Sequence, residues 1–132
     1  MDLLWAVWAK DYTDHEDGSV TLWRTYEWLT YDAEEYPASE ELLLVGRLRG
    51  ESKEFGTGHG LEVRFKSLDS GEVISSVENE IIVPRDPDLN VSIWHFVYRL
   101  SATFVNEGKY AADIFIDGKP ASTLPMYVWT YD

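Results

Sequence analysis

The chain has 132 residues, no cysteine and a formal net charge of −13 at pH 7, from 24 Asp and Glu against 11 Lys and Arg. That balance argues against nucleic acid, whose phosphates are bound by clustered Lys and Arg, and against anionic membrane surfaces. Without cysteine there is no disulfide framework and no thiolate metal site, and the expected compartment is the cytoplasm.

The length fits one domain over 1–132, and 45% hydrophobic with 14% aromatic residues allow a core of its own. Leu3 to Ala9 is apolar on both faces, which predicts a strand covered on both sides; it lacks a basic flank and spanning length, so no signal or membrane segment is expected. Asp11 to Gly18 is a polar turn. Ser19 to Thr30 reads as a second strand in which Val20 and Leu22 share one face and Leu29 takes the other, so a bend is expected near Arg24 to Tyr26. Asp32 to Glu41 is an acidic connection. Leu42, Leu44, Gly46 and Leu48 share a face of a third strand, and the Gly-rich stretch Gly50 to Gly60 follows as a loop. Leu61, Val63 and Phe65 alternate with Glu62, Arg64 and Lys66 in a fourth strand with one wet face. A fifth runs from Val73 to Val83, and Pro84 ends it. The sixth, Val91 to Phe104, places Trp94, Phe96, Tyr98 and Leu100 together.

Phe104 to Trp129 organises the rest. Tyr110, Ala112, Ile114 and Ile116 alternate with Ala111, Asp113 and Phe115, and Asp117-Gly118 supplies two residues that tolerate positive φ in a type I′ turn. Leu124, Met126 and Val128 restore an apolar face on the return. A strict two-residue turn would put Ile114 and Leu124 on opposite faces. One extra residue corrects the facing, so a bulge or longer loop is expected between Lys119 and Pro125. Gly108-Lys109-Tyr110 has the spacing of a tyrosine corner. Turn signals at regular intervals without an amphipathic helix predict an all-β fold, an eight-strand antiparallel β-sandwich with Greek-key connectivity.

The chain resembles a family of small bacterial and phage all-β proteins known only as a domain of unknown function. The residues that carry the resemblance are Val20 and Leu22; Leu44, Gly46, Leu48 and Gly50; Val63, Phe65, Leu68, Asp69 and Gly71; and Phe104, Gly108, Tyr110, Ile114, Ile116, Asp117 and Gly118. Nearly all are core or turn residues, so the resemblance implies a fold and not an activity.

His15, His59 and His95 show no metal-ligand or triad spacing, and His95 falls opposite Trp94 and Phe96, where a solvent-facing side chain is expected. Gly56-x-Gly58-x-Gly60 lacks the lysine of a phosphate loop and precedes a strand. No catalytic residue and no cofactor are expected, and the protein reads as a non-enzyme. Asp11, Asp14 and Glu16 in one loop and Asp86 and Asp88 in another are weak candidates for calcium, against a plain reading as solvated acidic turns. The aromatics are the unusual feature, six Trp and eight Tyr. By alternation Tyr127, Trp129 and Tyr131 lie away from Met126 and Val128, with Lys109 and Asp113 facing outward on the neighbouring strand. A ladder about 13 Å long of this kind suits a hot spot, unless another segment covers it. The last strand is also expected as an open edge. These features predict a binding or scaffold module acting through a protein partner or as a homo-oligomer, without nucleic acid or membrane. The alternatives are a carbohydrate-binding module and an acidic mimic of DNA.

Overall fold

The computed structural model describes residues 1–131, and their regular structure is β-strands with two short 3-10 turns. Nine strands follow in order: β1 (Asp2–Asp14), β2 (Val20–Tyr26), β3 (Trp28–Asp32), β4 (Ala38–Glu51), β5 (Gly58–Ser67), β6 (Val73–Ile82), β7 (Val91–Phe104), β8 (Gly108–Ile116) and β9 (Lys119–Tyr131). They form a four-stranded sheet, ordered β2-β1-β4-β7, and a five-stranded sheet, ordered β3-β9-β8-β5-β6. Among the described residues no helix is long and apolar enough to cross a membrane.

The fold is all-β, but the strands number nine instead of eight. The extra strand comes from the segment read as one bent strand. Arg24 has a φ of 53°, and the β1–β2 ladder skips it between Ala9↔Thr25 and Asp11↔Trp23. After Tyr26 the chain leaves the first sheet, and β3 joins the second, parallel to β9. The five-stranded sheet is therefore mixed and not wholly antiparallel. The change of face between Leu22 and Leu29 marked the bend near Arg24, but alternation reports which face a residue takes and not which strand it pairs with, so the change of sheet was not legible in it.

The two sheets share one apolar layer. Trp8, Leu42, Leu44, Leu48, Phe96 and Leu100 enter it from one sheet, and Leu61, Val63, Phe65, Ile114, Met126 and Val128 from the other. Gly46 lies opposite Phe96, and a Cβ there would fall 2.3 Å from two atoms of the ring, so packing demands the glycine. In the closing hairpin both turn residues have positive φ, 52° at Asp117 and 77° at Gly118, as a type I′ turn requires. Phe115 pairs with Pro120 and Ile114 with Ser122, which leaves Ala121 as the extra residue. The bulge brings Ala112 opposite Leu124 and Tyr110 opposite Met126, the register that burial of both faces needs.

The hairpin β1–β2 does not stay flat. From its tip the Gly18 carbonyl accepts from Arg47 Nη1 at 3.1 Å, and the Asp14 carboxylate meets His95 Nε2. Arg47 and His95 are partners across β4 and β7, far along the sheet from the strand end that carries Asp14. The tip thus folds back over the outer face of its own sheet, burying Ala9, Leu43 and Val45 with Tyr12, Leu22 and Val97 packed against them. This corrects two expectations. His95 does lie opposite Trp94 and Phe96, but Asp14 covers it and its side chain is only 18% exposed. The polar turn is shorter than Asp11 to Gly18, because β1 continues to Asp14. Nor is the start of β1 covered on both sides: β2 reaches only to Trp8, and Leu4 and Trp5 remain exposed. The Gly-rich loop is likewise shorter than expected, since β5 begins at Gly58.

The tyrosine corner forms as its spacing predicted. The Tyr110 hydroxyl donates to the Asn106 carbonyl at 3.2 Å, and its ring stacks 5.8 Å from Phe65 and meets Phe104 edge-on at 4.9 Å. Tyr110→Phe keeps the rings and removes the single hydrogen bond, so it should lower stability by about 1 kcal/mol. Urea unfolding of the two proteins checks this; an unchanged midpoint would show that the bond contributes nothing.

Candidate functional site

The aromatic row is assembled by the last strand and the strand that switched sheets. Met126 and Val128 of β9 are buried in the core, so alternation turns Tyr127, Trp129 and Tyr131 to the outer face. On β3, Leu29 and Tyr31 are buried, which turns Trp28 outward, and the parallel register sets Trp28 beside Tyr127 and Thr30 beside Trp129. Trp28 is 61% exposed, Trp129 50% and Tyr131 49%, while Tyr127 is half-buried between its neighbours. The Tyr127 and Trp129 rings lie within 15° of parallel with centroids 6.3 Å apart. Among the described residues no other segment covers Trp28, Trp129 and Tyr131. Trp28 was missed by sequence reasoning: alternation sets its facing opposite to that of Leu29, but only the fold shows that Leu29 is the one buried in the core.

The backbone under the row is held firmly. Glu27 O accepts from Tyr127 N at 2.8 Å at the start of the β3–β9 ladder, and the Thr130 amide donates to Glu107 Oε2 at 2.9 Å. The Tyr36 hydroxyl donates to the Trp129 carbonyl at 3.4 Å and accepts from the Thr130 hydroxyl at 3.1 Å. β9 is consequently not the open edge that was expected at the row: β3 pairs with Tyr127–Tyr131 on one side and β8 pairs with it as far as Val128 on the other, so β3 is the edge of the sheet there. The rim is acidic. The Tyr131 hydroxyl donates to Glu35 Oε1 at 3.4 Å, and the negative field of Glu35 holds the phenol above its ordinary range. Lys109 stands across from Tyr127 on β8. Asp113, farther along the same face, is engaged by Lys66 Nζ at 2.7 Å and the Thr123 hydroxyl at 3.0 Å.

Beside Trp28, where the chain crosses between sheets, lies a recess of about 290 Å³ bounded by Trp8, Tyr26, Glu27, Trp28 and Leu124. Trp8 forms its floor at 1% exposure, and its Nε1–H donates to the Pro125 carbonyl at 2.9 Å. Burial, with the charge of Glu40 second, pushes the Tyr26 phenol up to about 12.

The acidic candidates for a metal do not converge. Asp11 accepts from the Tyr12 amide, Asp14 is taken by His95, and Asp86 accepts from the Asp88 amide; Glu16 is exposed in the β1–β2 turn. Among the described residues no three His, Asp or Glu side chains gather as a metal would need. A different grouping does form, from segments too far apart for local spacing to reveal it. Thr57 Oγ1 lies 3.0 Å from His59 Nε2, and His59 Nδ1 lies 2.7 Å from Asp117 Oδ2. The line has the order of a nucleophile, a base and an orienting acid, but the Thr57 hydroxyl donates to the Glu54 carbonyl at 2.5 Å, so its proton points away from the histidine. What the group does here is clamp the β8–β9 turn to the start of β5, with Asp117 Oδ1 also accepting the Gly60 amide at 2.9 Å.

The His59 hydrogen bond and then the Gly60 amide hold the Asp117 carboxyl below its ordinary range. A carboxyl that titrates lower in the folded chain contributes stability that is present above its unfolded value and lost as pH falls through the folded one. Asp117→Asn retains a residue that tolerates the positive φ and removes the charge together with one of the two acceptor oxygens, as protonation of the carboxylate does. It should therefore lower the unfolding midpoint at pH 7, with the gap from wild type closing as pH falls through the lowered value of Asp117 in the folded chain. A gap that stays constant over that range would sink the clamp.

Comparison with known proteins adds a family. Residues 5–129 match the model described as a family of unknown function, DUF6941. No curated protein matches the chain. With the match running from Trp5 in β1 to Trp129 in β9, the chain belongs to DUF6941, a family of unknown function.

Proposed function

We propose that the protein is a non-catalytic binding or scaffold module that works in the cytoplasm of a bacterial or phage-infected cell, through a protein partner or a second copy. The observation that carries this reading is the exposure of Trp28, Trp129 and Tyr131 side by side on two hydrogen-bonded strands. Contiguous large aromatics are rarely left to water, and Trp and Tyr are enriched where interfaces concentrate their energy. Strand-borne rings lose little conformational freedom on binding, which favours affinity over a loop-borne site. The acidic rim, with Glu27, Asp32 and Glu35 near the row, suits a basic partner surface.

A carbohydrate-binding module is the second reading, favoured by the near-parallel Tyr127 and Trp129 rings, which offer surfaces a sugar could stack on. A glycan array separates the two, since saturable polysaccharide binding supports only the second.

Trp129→Ala should weaken association by about 2 kcal/mol or more and leave the unfolding midpoint within about 0.5 kcal/mol of wild type. Parallel affinity capture from the source cells, with wild type and Trp129→Ala as baits, and sedimentation equilibrium for self-association measure the first; urea unfolding measures the second. Equal recovery of every partner by both baits, with no change in self-association, would remove the row from the binding surface.

A further inference from the structure

We infer that the recess beside Trp28 receives a cationic side chain, lysine or arginine, from a protein lying on the aromatic face. The inference rests on the protein-binding reading above and names the chemistry that reading would select. At about 290 Å³ the recess is at the small end of ligand pockets, too small for most cofactors and suited to one side chain. Its walls divide by chemistry. Val7 and Leu124 offer apolar contact to a hydrocarbon stem, the exposed Trp28 and half-buried Tyr26 offer rings to its charged end, and the buried Trp8 closes the recess. Aromatic faces carry negative potential and attract ammonium and guanidinium groups.

The charges agree with that selection. Glu27 is the one charged residue of the lining; it is exposed at the mouth, and its carbonyl is fixed by the bond to the Tyr127 amide. The Trp8 Nε1–H is spent on Pro125, so the indole of the floor has no donor left for an anion. Glu40 adds negative field at Tyr26. Against these stands Lys10, whose Nζ lies 4.3 Å from the centre of the Tyr26 ring without lining the recess. The chain thus already rests one ammonium on this aromatic group. A protein with a net charge of −13 also concentrates cations around its whole surface.

The test is a titration of the intact ¹⁵N-labelled protein, read at the indole N–H signals of Trp8 and Trp28. The probes are tetramethylammonium, N-acetyl-lysine amide and N-acetyl-norleucine amide, the last having an apolar stem and no charge. Saturable shifts of both indoles with the two cations, and binding of the norleucine amide weaker by about tenfold, are expected. Glu27→Gln should weaken the lysine probe by about threefold, Trp28→Ala by about tenfold, and Lys10→Met should tighten it. Trp129→Ala lies outside the recess and should leave it unchanged. Shifts that fail to saturate, or a norleucine amide that binds as well as the lysine amide, overturn the inference. Loss of partner capture by Trp129→Ala in a protein that ignores these cations would refute the recess alone. Cation binding in a protein whose captured partners ignore Trp129→Ala would refute the face alone.

Discussion

The Tyr110 ring is wedged between Phe65 of the same sheet and Phe104 at the end of β7, with its hydroxyl anchored on the Asn106 carbonyl. Trp8 continues the contact by meeting Phe65 edge-on at 5.6 Å. Two twisted sheets can share a core only if large side chains from both fill the space between them, and these rings span it from β1 to β8. Tyr110 also fixes the corner at which the chain leaves the first sheet for the second. The register of β8 follows from that corner, the bulge at Ala121 follows from the register, and the outward turn of Tyr127, Trp129 and Tyr131 follows from the bulge. The candidate binding face is thus a downstream consequence of how the core is filled.

Much of this chain of dependence is legible in the residues. The turn at Asp117-Gly118, the need for an extra residue before Leu124 and the outward parity of the aromatic row all come from alternation, which is local and strict. What alternation cannot supply is pairing between distant segments. The parallel meeting of β3 with β9 brings together the two ends of the chain, so Trp28 remained an ordinary strand residue until its neighbour was known. The folded-over tip of β1–β2 escaped for the same reason: the change of face after Leu22 places a bend near Arg24, but nothing in it tells that Asp14 comes to lie over His95. The Thr57–His59–Asp117 group likewise draws on the β4–β5 connection and the last hairpin, which share no local motif.

The exterior polar contacts work differently from the core. Pairs such as Arg99 with Glu41 and Arg64 with Glu62 are half-exposed and screened by water, so they contribute little to stability. Those at the hairpin tips fix position instead: His95 and Arg47 hold one tip, and His59 holds the other. Among the described residues most carboxylates have no cation beside them, which surrounds the molecule with a negative field that attracts positive charge from a distance. For a partner of the proposed kind, encounter would be governed by the acidic surface and residence by the rings, a division in which salt would slow association more than it hastened release.

β3 has a consequence for the order in which the protein is built. Its five residues pair with β9 alone, across nearly the full length of the chain, whereas β8 and β9 are joined by a two-residue turn. Closing so long a loop forfeits chain entropy before any contact is gained, and a short edge strand returns few contacts when it docks. The crossing at Glu27 therefore completes late in folding and opens early under stress, ahead of the β5–β8–β9 core. Trp28 belongs to this late, shallow layer, and Trp129 to the strand beneath it. Half of the face is scaffold and half is a latch, so a partner that engages both also stitches the first quarter of the chain to the last.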